Sequence, residues 1–127
     1  MAELILIVED NELNRKLLRD VLRAEGYTTV ESETAEEGLE IVRARRPALV
    51  LMDIHLPRMD GVTALRALRA DQLTRDVPVV AVTASAMPLE RAEVMAAGFD
   101  GYFVKPLDVD QIVDEVRTIL STSAVVG

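Results

Sequence analysis

The stretch that decides the fold is PALVLMDIHLPRMDG, residues 47–61. Its apolar run ends abruptly at Asp53, and Pro57 and Gly61 mark the loop that follows. A short apolar run bounded by turn residues is typical of a strand buried on both faces of a parallel sheet. Open α/β sheets bind their ligands beyond the carboxyl ends of the strands. This strand alone favours Asp53 as the mere start of a loop, and we expect a binding site only because three other strands end in the same way.

The composition indicates one folded domain that does not bind nucleic acid directly. The chain has 127 residues, of which 50% are hydrophobic and 28% charged, with a formal net charge of −8. That length can bury a core, whereas nucleic-acid binding requires a basic face. The absence of cysteine excludes disulfides and thiolate metal sites. No signal peptide or membrane-spanning run is evident, so we expect a cytoplasmic protein without a membrane partner.

Apolar strand patterns and amphipathic helix patterns alternate five times along the chain. The strand patterns cover residues 4–10, 27–30, 48–53, 77–83 and 101–106. Such alternation predicts a parallel sheet with helices on both faces. We expect a doubly wound (βα)5 sandwich of the flavodoxin-like type, with strand order 2-1-3-4-5. The residues that begin or end the predicted helices are Asn11, Gly26, Thr34, Asp60, Pro88, Gly98 and Asp108.

We expect this fold to form one domain, residues 1–122, followed by a short frayed tail, residues 123–127.

The second predicted helix ends in arginines at 43, 45 and 46. Cations suit the carboxyl end of a helix, so we interpret these arginines as structural. The last helix pattern includes Val109, and the first includes Leu13, both expected on buried faces.

Four strands carry polar side chains at their carboxyl ends. These are Glu9 and Asp10 after the first strand, Asp53 after the third, Thr83 after the fourth and Lys105 after the fifth. The predicted strand order places these four ends side by side, and the second strand contributes nothing comparable. One pocket is therefore predicted to hold three carboxylates, a hydroxyl and an ammonium group.

The chemistry of this pocket favours a hard cation and a phosphoryl group. Three neighbouring carboxylates repel one another unless a cation binds or a pKa rises. An all-oxygen set with room for water favours Mg²⁺ over Ca²⁺. A carboxylate beside Mg²⁺ and Lys105 can attack phosphorus, because both cations offset the charge of the transferring group. The product would be an aspartyl phosphate, and Thr83 could donate a hydrogen bond to it.

Four segments carry a family resemblance: ILIVEDNELN (5–14), LMDIHLPRMDG (51–61), AVTASAM (81–87) and YFVKPL (102–107). They resemble the response-regulator receiver domains of two-component signalling, over nearly the whole chain. The first and third segments also resemble the DivK-type single-domain regulators. The resemblance implies a phosphorylation switch with Mg²⁺ as cofactor. The protein is not expected to be an enzyme, beyond assisting its own phosphorylation and dephosphorylation.

The resemblance implies a role for each residue in the acidic pocket. Asp53 matches the phosphoacceptor and Lys105 the phosphate-binding lysine. Asp10, Asp53 and the backbone carbonyl of His55 match the Mg²⁺ ligands, whereas Glu9 is expected to act mainly through water. The side chain of His55 could influence hydrolysis of the phosphoryl group, but we favour an imidazole that faces solvent without a role of its own.

Further residues match the family's switch. Thr83 matches the switch hydroxyl, with the small Ala84 after it leaving the phosphoryl group accessible. Tyr102 matches the switch aromatic residue. The resemblance also implies a cis peptide bond before Pro106. Phosphorylation is expected to alter the face formed by the fourth helix, fifth strand and fifth helix.

The expected phosphoryl donor is a sensor histidine kinase or a histidine phosphotransfer protein, and the output is contact with a downstream protein target. We expect a monomer, with dimerisation on phosphorylation left open. The Met1 start favours a stand-alone protein, and a receiver excised from a hybrid kinase is the alternative. A Mg²⁺-dependent aspartyl-phosphate phosphohydrolase and a flavodoxin-like electron carrier are further alternatives. The hydrolase normally needs a second acid two residues after the nucleophile, where this chain has His55.

Overall fold

The computed structural model describes residues 3–84 and 88–126, and within them five strands form one sheet in the order β2-β1-β3-β4-β5. All neighbouring strands pair in parallel. The predicted strand order and the flavodoxin-like α/β fold are therefore confirmed. The strands are β1 (Leu4–Val8), β2 (Thr28–Ser32), β3 (Leu49–Asp53), β4 (Val79–Thr83) and β5 (Gly101–Val104).

A helix follows each strand. The predicted caps Asn11, Thr34 and Asp60 each accept a hydrogen bond from the backbone N–H three residues further on, which satisfies a donor that the helix leaves unpaired. The last helix continues to Val126, so the backbone of residues 123–126 is helical, and the domain boundary at residue 122 stays a prediction. The helices are α1 (Glu12–Ala24), α2 (Ala35–Arg45), α3 (Gly61–Ala70), α4 (Pro88–Ala96) and α5 (Val109–Val126).

The sheet has an apolar layer on each face. Leu6 and Val8 of β1 belong to the layer covered by α2, α3 and α4, whereas Ile5 and Ile7 belong to the layer covered by α1 and α5. Successive side chains of a strand point to opposite faces, so a central strand covered on both faces is apolar along its length, and in β3 only the last residue, Asp53, is polar. This explains the run in β3, all of which is buried.

Two predicted core residues are exposed. Leu13 in the first turn of α1 is 78% exposed, and Val109 at the start of α5 is 45% exposed. Leu13 precedes the buried Leu22 by nine positions, and at 3.6 residues per turn the two lie on opposite sides of the helix. The prediction that Leu13 shares the buried face was therefore wrong.

Several strands are shorter than predicted. β1 ends at Val8, so Glu9 and Asp10 lie in the turn beyond it, and β5 ends at Val104, before Pro106. Proline lacks the N–H that a sheet ladder needs. Among residues 3–84 and 88–126, no helix combines the length and apolar character needed to span a membrane. Residues 85–87, which complete the AVTASAM segment, lie outside the described residues.

Candidate functional site

Three acidic side chains meet at the carboxyl edge of the sheet. The carboxylate oxygens of Glu9, Asp10 and Asp53 that could bind a metal all lie within 4.8 Å of one another. The pairing of Val8 with Met52 brings the ends of β1 and β3 together, and each acid follows directly or closely. Glu9 and Asp53 are buried, whereas Asp10 is exposed and open to solvent. The strand order thus produces the acidic cluster that the sequence predicts.

Lys105 lies between the two buried acids. Its Nζ is 2.9 Å from Oδ2 of Asp53 and 3.0 Å from Oε1 of Glu9. The backbone of Lys105 is held by its N–H, which donates to the carbonyl of Thr83 over 2.7 Å. Burial lowers the pKa of the Lys105 ammonium group, but its interactions with Asp53 and Glu9 outweigh burial and raise that pKa above its ordinary value. The amine therefore stays charged beside the acids.

The two buried carboxyl groups differ in acidity. Burial, together with a hydrogen bond to Asp53, raises the pKa of Glu9 from 4.5 to about 7. Burial also acts to raise the pKa of Asp53, but hydrogen bonds from Glu9, Lys105 and the His55 N–H bring it below its ordinary value. In the metal-free protein the two neighbouring acids therefore hold a proton preferentially on Glu9, which favours the ionised form of Asp53.

Backbone groups fix the orientation of both buried carboxylates. The N–H of His55 donates to Oδ1 of Asp53 over 2.8 Å, and the N–H of Asn11 donates to Oε2 of Glu9 over 3.1 Å. These bonds hold each side chain across the turn that follows its strand. The carboxylates are thus set in place by the fold before any ligand arrives.

Gly61 closes the β3–α3 loop against the site. A Cβ at this position would lie 2.7 Å from Cα of Ile54 and 2.8 Å from the carbonyl oxygen of Asp53, both backbone atoms that cannot move aside. The N–H of Gly61 donates to the carbonyl of Ile54 over 3.1 Å. Only glycine allows this approach, which returns the loop to the end of β3.

The predicted switch residues lie on the two neighbouring strands. Thr83 is fully buried at the end of β4, and Tyr102 in β5 is 8% exposed. The guanidinium carbon of Arg91 in α4 lies 5.2 Å from the centroid of the Tyr102 ring. The peptide bond between Lys105 and Pro106 is cis, in agreement with the resemblance. The switching roles of Thr83 and Tyr102 stay predictions.

The imidazole of His55 is directed towards α4. Its Nε2 lies 3.3 Å from Oε1 of Glu90, and the side chain is 57% exposed. Both residues line a groove of about 1050 Å³ between α3 and α4, which lies beside the acidic cluster and does not include its carboxylates. The predicted use of the His55 carbonyl as a metal ligand is not tested by this arrangement.

The profile of the response regulator receiver domain family matches residues 5–117. The chain belongs to this family. The receiver domain is also 39% identical over 120 residues to the polar-differentiation response regulator DivK of Brucella anthropi, a match that covers 94% of this chain and 98% of that protein. Receiver domains and DivK-like regulators are signalling proteins, so the general function of this chain is that of a response-regulator signalling module.

Solved structures of receiver domains are similar to this one. A putative response regulator from Chloroflexus aurantiacus J-10-fl superimposes with a TM-score of 0.91 at 29% identity, covering 95% of this chain and 99% of that one. The receiver domain of the sensor histidine kinase PA1611 from Pseudomonas aeruginosa PAO1 gives a TM-score of 0.87 at 30% identity, with coverage of 95% and 99%. That structure has a magnesium ion coordinated in its active-site cleft.

The donor set of this receiver domain fits the magnesium ion that the family implies. The three clustered side chains, Glu9, Asp10 and Asp53, offer only carboxylate oxygens. Hard oxygen donors suit Mg²⁺, which keeps several water molecules and binds through one or two carboxylates. Asp10 is exposed and leaves an open side for that water.

Sequence reasoning missed one residue that supports this site. Arg15 in α1 donates through Nη1 to the backbone carbonyl of Glu9 over 2.9 Å. An arginine near the start of an amphipathic helix has the pattern of a solvated residue. Nothing in the linear sequence distinguishes it from one that returns to the turn.

Proposed function

We propose that this receiver domain is the phosphoacceptor switch of a two-component or phosphorelay system. Asp53 would take the phosphoryl group from a phosphohistidine of a sensor histidine kinase or a histidine phosphotransfer protein. One observation carries the proposal: the buried carboxyl group of Asp53 lies 2.9 Å from the amine of Lys105, within a cluster of two further acids. The lowered pKa of Asp53 and the raised pKa of Lys105 favour the charged form of both groups. This combination supplies a nucleophile and a cation that offsets the charge of the incoming group.

The proposed transfer is a displacement at phosphorus. A carboxylate oxygen of Asp53 forms the new O–P bond while the P–N bond of the phosphohistidine breaks, and the imidazole leaves with the electron pair and takes a proton from solvent. Lys105 stabilises the charge on the phosphoryl oxygens throughout. The buried position of Asp53, with its Oδ1 held by the His55 N–H, orients the nucleophile before the donor arrives.

Mg²⁺ would be held by Asp10, Asp53 and the backbone carbonyl of His55, and Glu9 would act mainly through water. When bound, Mg²⁺ offsets negative charge on the acids and on the phosphoryl group. The carboxylate cluster of this chain supports the assignment, as does the magnesium ion in the related PA1611 receiver domain. Occupancy of the site also removes the need for a proton on Glu9, because the cation takes over the neutralisation of the acids.

The proposed output is a change in the face formed by α4, β5 and α5. Thr83 would donate to a phosphoryl oxygen, and Tyr102 would move inward as the hydroxyl shifts. The contact between Arg91 of α4 and the Tyr102 ring of β5 supports a link between these elements. Phosphorylation would select one of two existing arrangements of this face, which then binds a downstream protein.

The proposed switch acts through protein contacts in the cytoplasm and catalyses only its own phosphorylation and dephosphorylation. The net charge of −8 gives no support to direct nucleic-acid binding. We propose a monomer in the unphosphorylated state, with dimerisation of the phosphorylated state as an alternative. Similarity to the receiver domain of a sensor kinase supports a second setting, as one part of a hybrid kinase.

Phosphotransfer profiling tests the proposed function. Autophosphorylated histidine kinases and phosphotransfer proteins are mixed one at a time with wild-type protein and with Asp53→Asn, in the presence of Mg²⁺. We expect rapid transfer of label from a small subset of donors to the wild type and none to the variant. Equal labelling of Asp53→Asn would contradict the assignment of the phosphoacceptor. Fast multiple turnover of a small phosphate ester would favour a phosphohydrolase instead.

A further inference from the structure

Both backbone polar groups of Glu9 are linked by hydrogen bonds to the end of β2, the N–H directly and the carbonyl through Arg15. Its N–H donates to the carbonyl of Ser32 over 3.0 Å. Its carbonyl accepts a hydrogen bond from Nη1 of Arg15 over 2.9 Å. Arg15 is itself held by two acids at that end of the sheet: Nε lies 3.3 Å from Oε1 of Glu31, and Nη2 lies 3.3 Å from Oε1 of Glu33.

The three guanidinium nitrogens of Arg15 contact three different groups, one backbone carbonyl and two carboxylates. The side chain is only 15% exposed, although it belongs to the first turns of a surface helix. A planar, always charged fork can bond a carbonyl and two carboxylates at once, whereas a lysine ammonium on a single flexible stem cannot span the same positions. The arrangement therefore depends on the shape of arginine as well as on its charge.

The turn that Arg15 holds is the one that carries two acids of the metal site. β1 ends at Val8, so the pairing with β2 reaches this turn only through the bond from the Glu9 N–H to the Ser32 carbonyl. The direction of their side chains depends on how the peptide between them is oriented. Its carbonyl, that of Glu9, is the group that Arg15 binds.

We propose that Arg15 is a positioning residue of the metal site, and that it sets the affinity for Mg²⁺ by holding the Glu9 carbonyl beside Glu31 of β2 and Glu33 after it. The inference rests on the proposed function, because it assumes that Glu9 and Asp10 serve a metal ion. It also gives β2 a part in the site. The second strand adds no side chain to the acidic cluster, but Glu31 and Ser32 support the turn that does.

Electrostatics and positioning make opposite predictions for the loss of Arg15. Removal of a positive charge near three carboxylates strengthens the attraction of the site for Mg²⁺. Loss of an orienting hydrogen bond weakens metal binding, in general by about 10-fold to 100-fold for residues that support metal ligands. The direction of the change in affinity therefore distinguishes a positioning role from a purely electrostatic one.

The test measures Mg²⁺ dissociation constants by calorimetric titration for the wild type, Arg15→Met, Arg15→Lys and Arg19→Met. Arg19 is the matched control, because its guanidinium group pairs with the same Glu31 and with Asp20 and makes no hydrogen bond to the Glu9 carbonyl within the described residues. A second measurement follows the carbonyl ¹³C chemical shift of Glu9 in the metal-free proteins. Thermal unfolding confirms that each variant is folded.

We expect Arg15→Met to bind Mg²⁺ about 10-fold or more weakly and to shift the Glu9 carbonyl resonance. We expect Arg19→Met to bind as tightly as the wild type or more tightly, with that resonance unchanged. Arg15→Lys keeps the charge and should fall between Arg15→Met and the wild type, and it decides the question if Arg15→Met does not fold.

The inference is overturned if Arg15→Met binds Mg²⁺ as tightly as the wild type or more tightly. It is also overturned if Arg15→Lys matches the wild type, because charge alone would then suffice. These outcomes differ from failure of the proposed function, which would appear as an absence of Mg²⁺ binding to the wild type itself.

Discussion

Replacement of Glu9 by glutamine should abolish a specific pH dependence of stability in the metal-free protein. Glu9 is buried beside the ionised Asp53, and its pKa is raised from 4.5 to about 7 by burial and by the hydrogen bond to Asp53. The neutral acid can donate to Asp53, whereas the ionised form places a second negative charge in a buried site. Glutamine keeps a neutral donor of similar shape at every pH.

The magnitude follows from linkage between proton binding and folding. A folded-state pKa above the unfolded value means that the stabilisation from Glu9 is complete below pH 4.5 and is lost as the pH rises through about 7. A tenfold change in proton affinity corresponds to about 1.4 kcal/mol, so this loss approaches about 3 kcal/mol. For an average domain that is a large share of the free energy of unfolding.

Four acids with lowered pKa values do not contribute to the change in stability between pH 5 and 8. The pKa values of Asp20, Asp53, Asp60 and Asp71 lie below their ordinary value of 3.8. Their contribution has the opposite sign, because it is present above pH 3.8 and is lost only as the pH falls further. Between pH 5 and 8 these four groups stay ionised in both the folded and the unfolded chain.

The assay is urea unfolding of wild-type protein and Glu9→Gln at several values between about pH 5 and pH 8.5, with a chelator present. We expect the wild-type free energy of unfolding to fall relative to the variant by up to about 3 kcal/mol as the pH rises. Addition of Mg²⁺ at pH 8 should recover stability in the wild type, since a ligand of the folded state alone stabilises it. Parallel pH profiles for the two proteins would refute the proposed sharing of a proton between Glu9 and Asp53.

Two further substitutions test other parts of the site. Lys105→Ala should slow phosphorylation about 100-fold or more, since it removes a preorganised cation, but should leave Mg²⁺ binding intact. Phosphorylation kinetics check this, with Lys16→Ala as the exposed control. An equal effect of the two substitutions on the rate would contradict the role of Lys105. Gly61→Ala should destabilise the fold by about 1–3 kcal/mol, because its Cβ would meet the Ile54 Cα and the Asp53 carbonyl. Urea unfolding measures this loss, and an unchanged midpoint would show that the β3–α3 loop tolerates a side chain.

The acidic cluster could be predicted from the sequence because each of its signals is local. Asp53 ends an apolar run, two acids end the first run, and Lys105 ends the last. The strand order then converts three separate positions along the chain into one site, and that order follows from the regular alternation of strands and helices. No long-range side-chain contact had to be guessed.

The polar contacts that support the fold could not be predicted in the same way. Arg69 in α3 donates to the carbonyl of Val77 over 2.7 Å and to Oδ2 of Asp100 over 3.0 Å. Asp100 in turn accepts a hydrogen bond from the N–H of Val79 over 2.8 Å, at the start of β4. These partners are far apart in sequence, and charged residues with no periodic pattern are indistinguishable from solvated ones. Arg15 was missed because, like Arg69, it has no periodic pattern that distinguishes it from a solvated residue.

Helix faces were predicted well in the middle and poorly at the ends. Leu18 and Leu22 of α1 are fully buried, as their spacing predicts, whereas Leu13 in the first turn is exposed. Leu13 precedes Leu22 by nine positions, so at 3.6 residues per turn it lies on the opposite side of α1. Its apolar character made it look like part of the periodic set, although its spacing from Leu22 does not fit the buried face.

The most direct test of the central claim is the intact mass of the protein after incubation with acetyl phosphate. We predict that the wild type gains one phosphoryl group with Mg²⁺ present, and that fragmentation places this group on Asp53. We also predict no gain with a chelator in place of Mg²⁺, and none for Asp53→Asn under either condition. Phosphorylation that is independent of Mg²⁺, or that persists in Asp53→Asn, would contradict the account of a magnesium-dependent aspartyl phosphate at the carboxyl edge of the sheet.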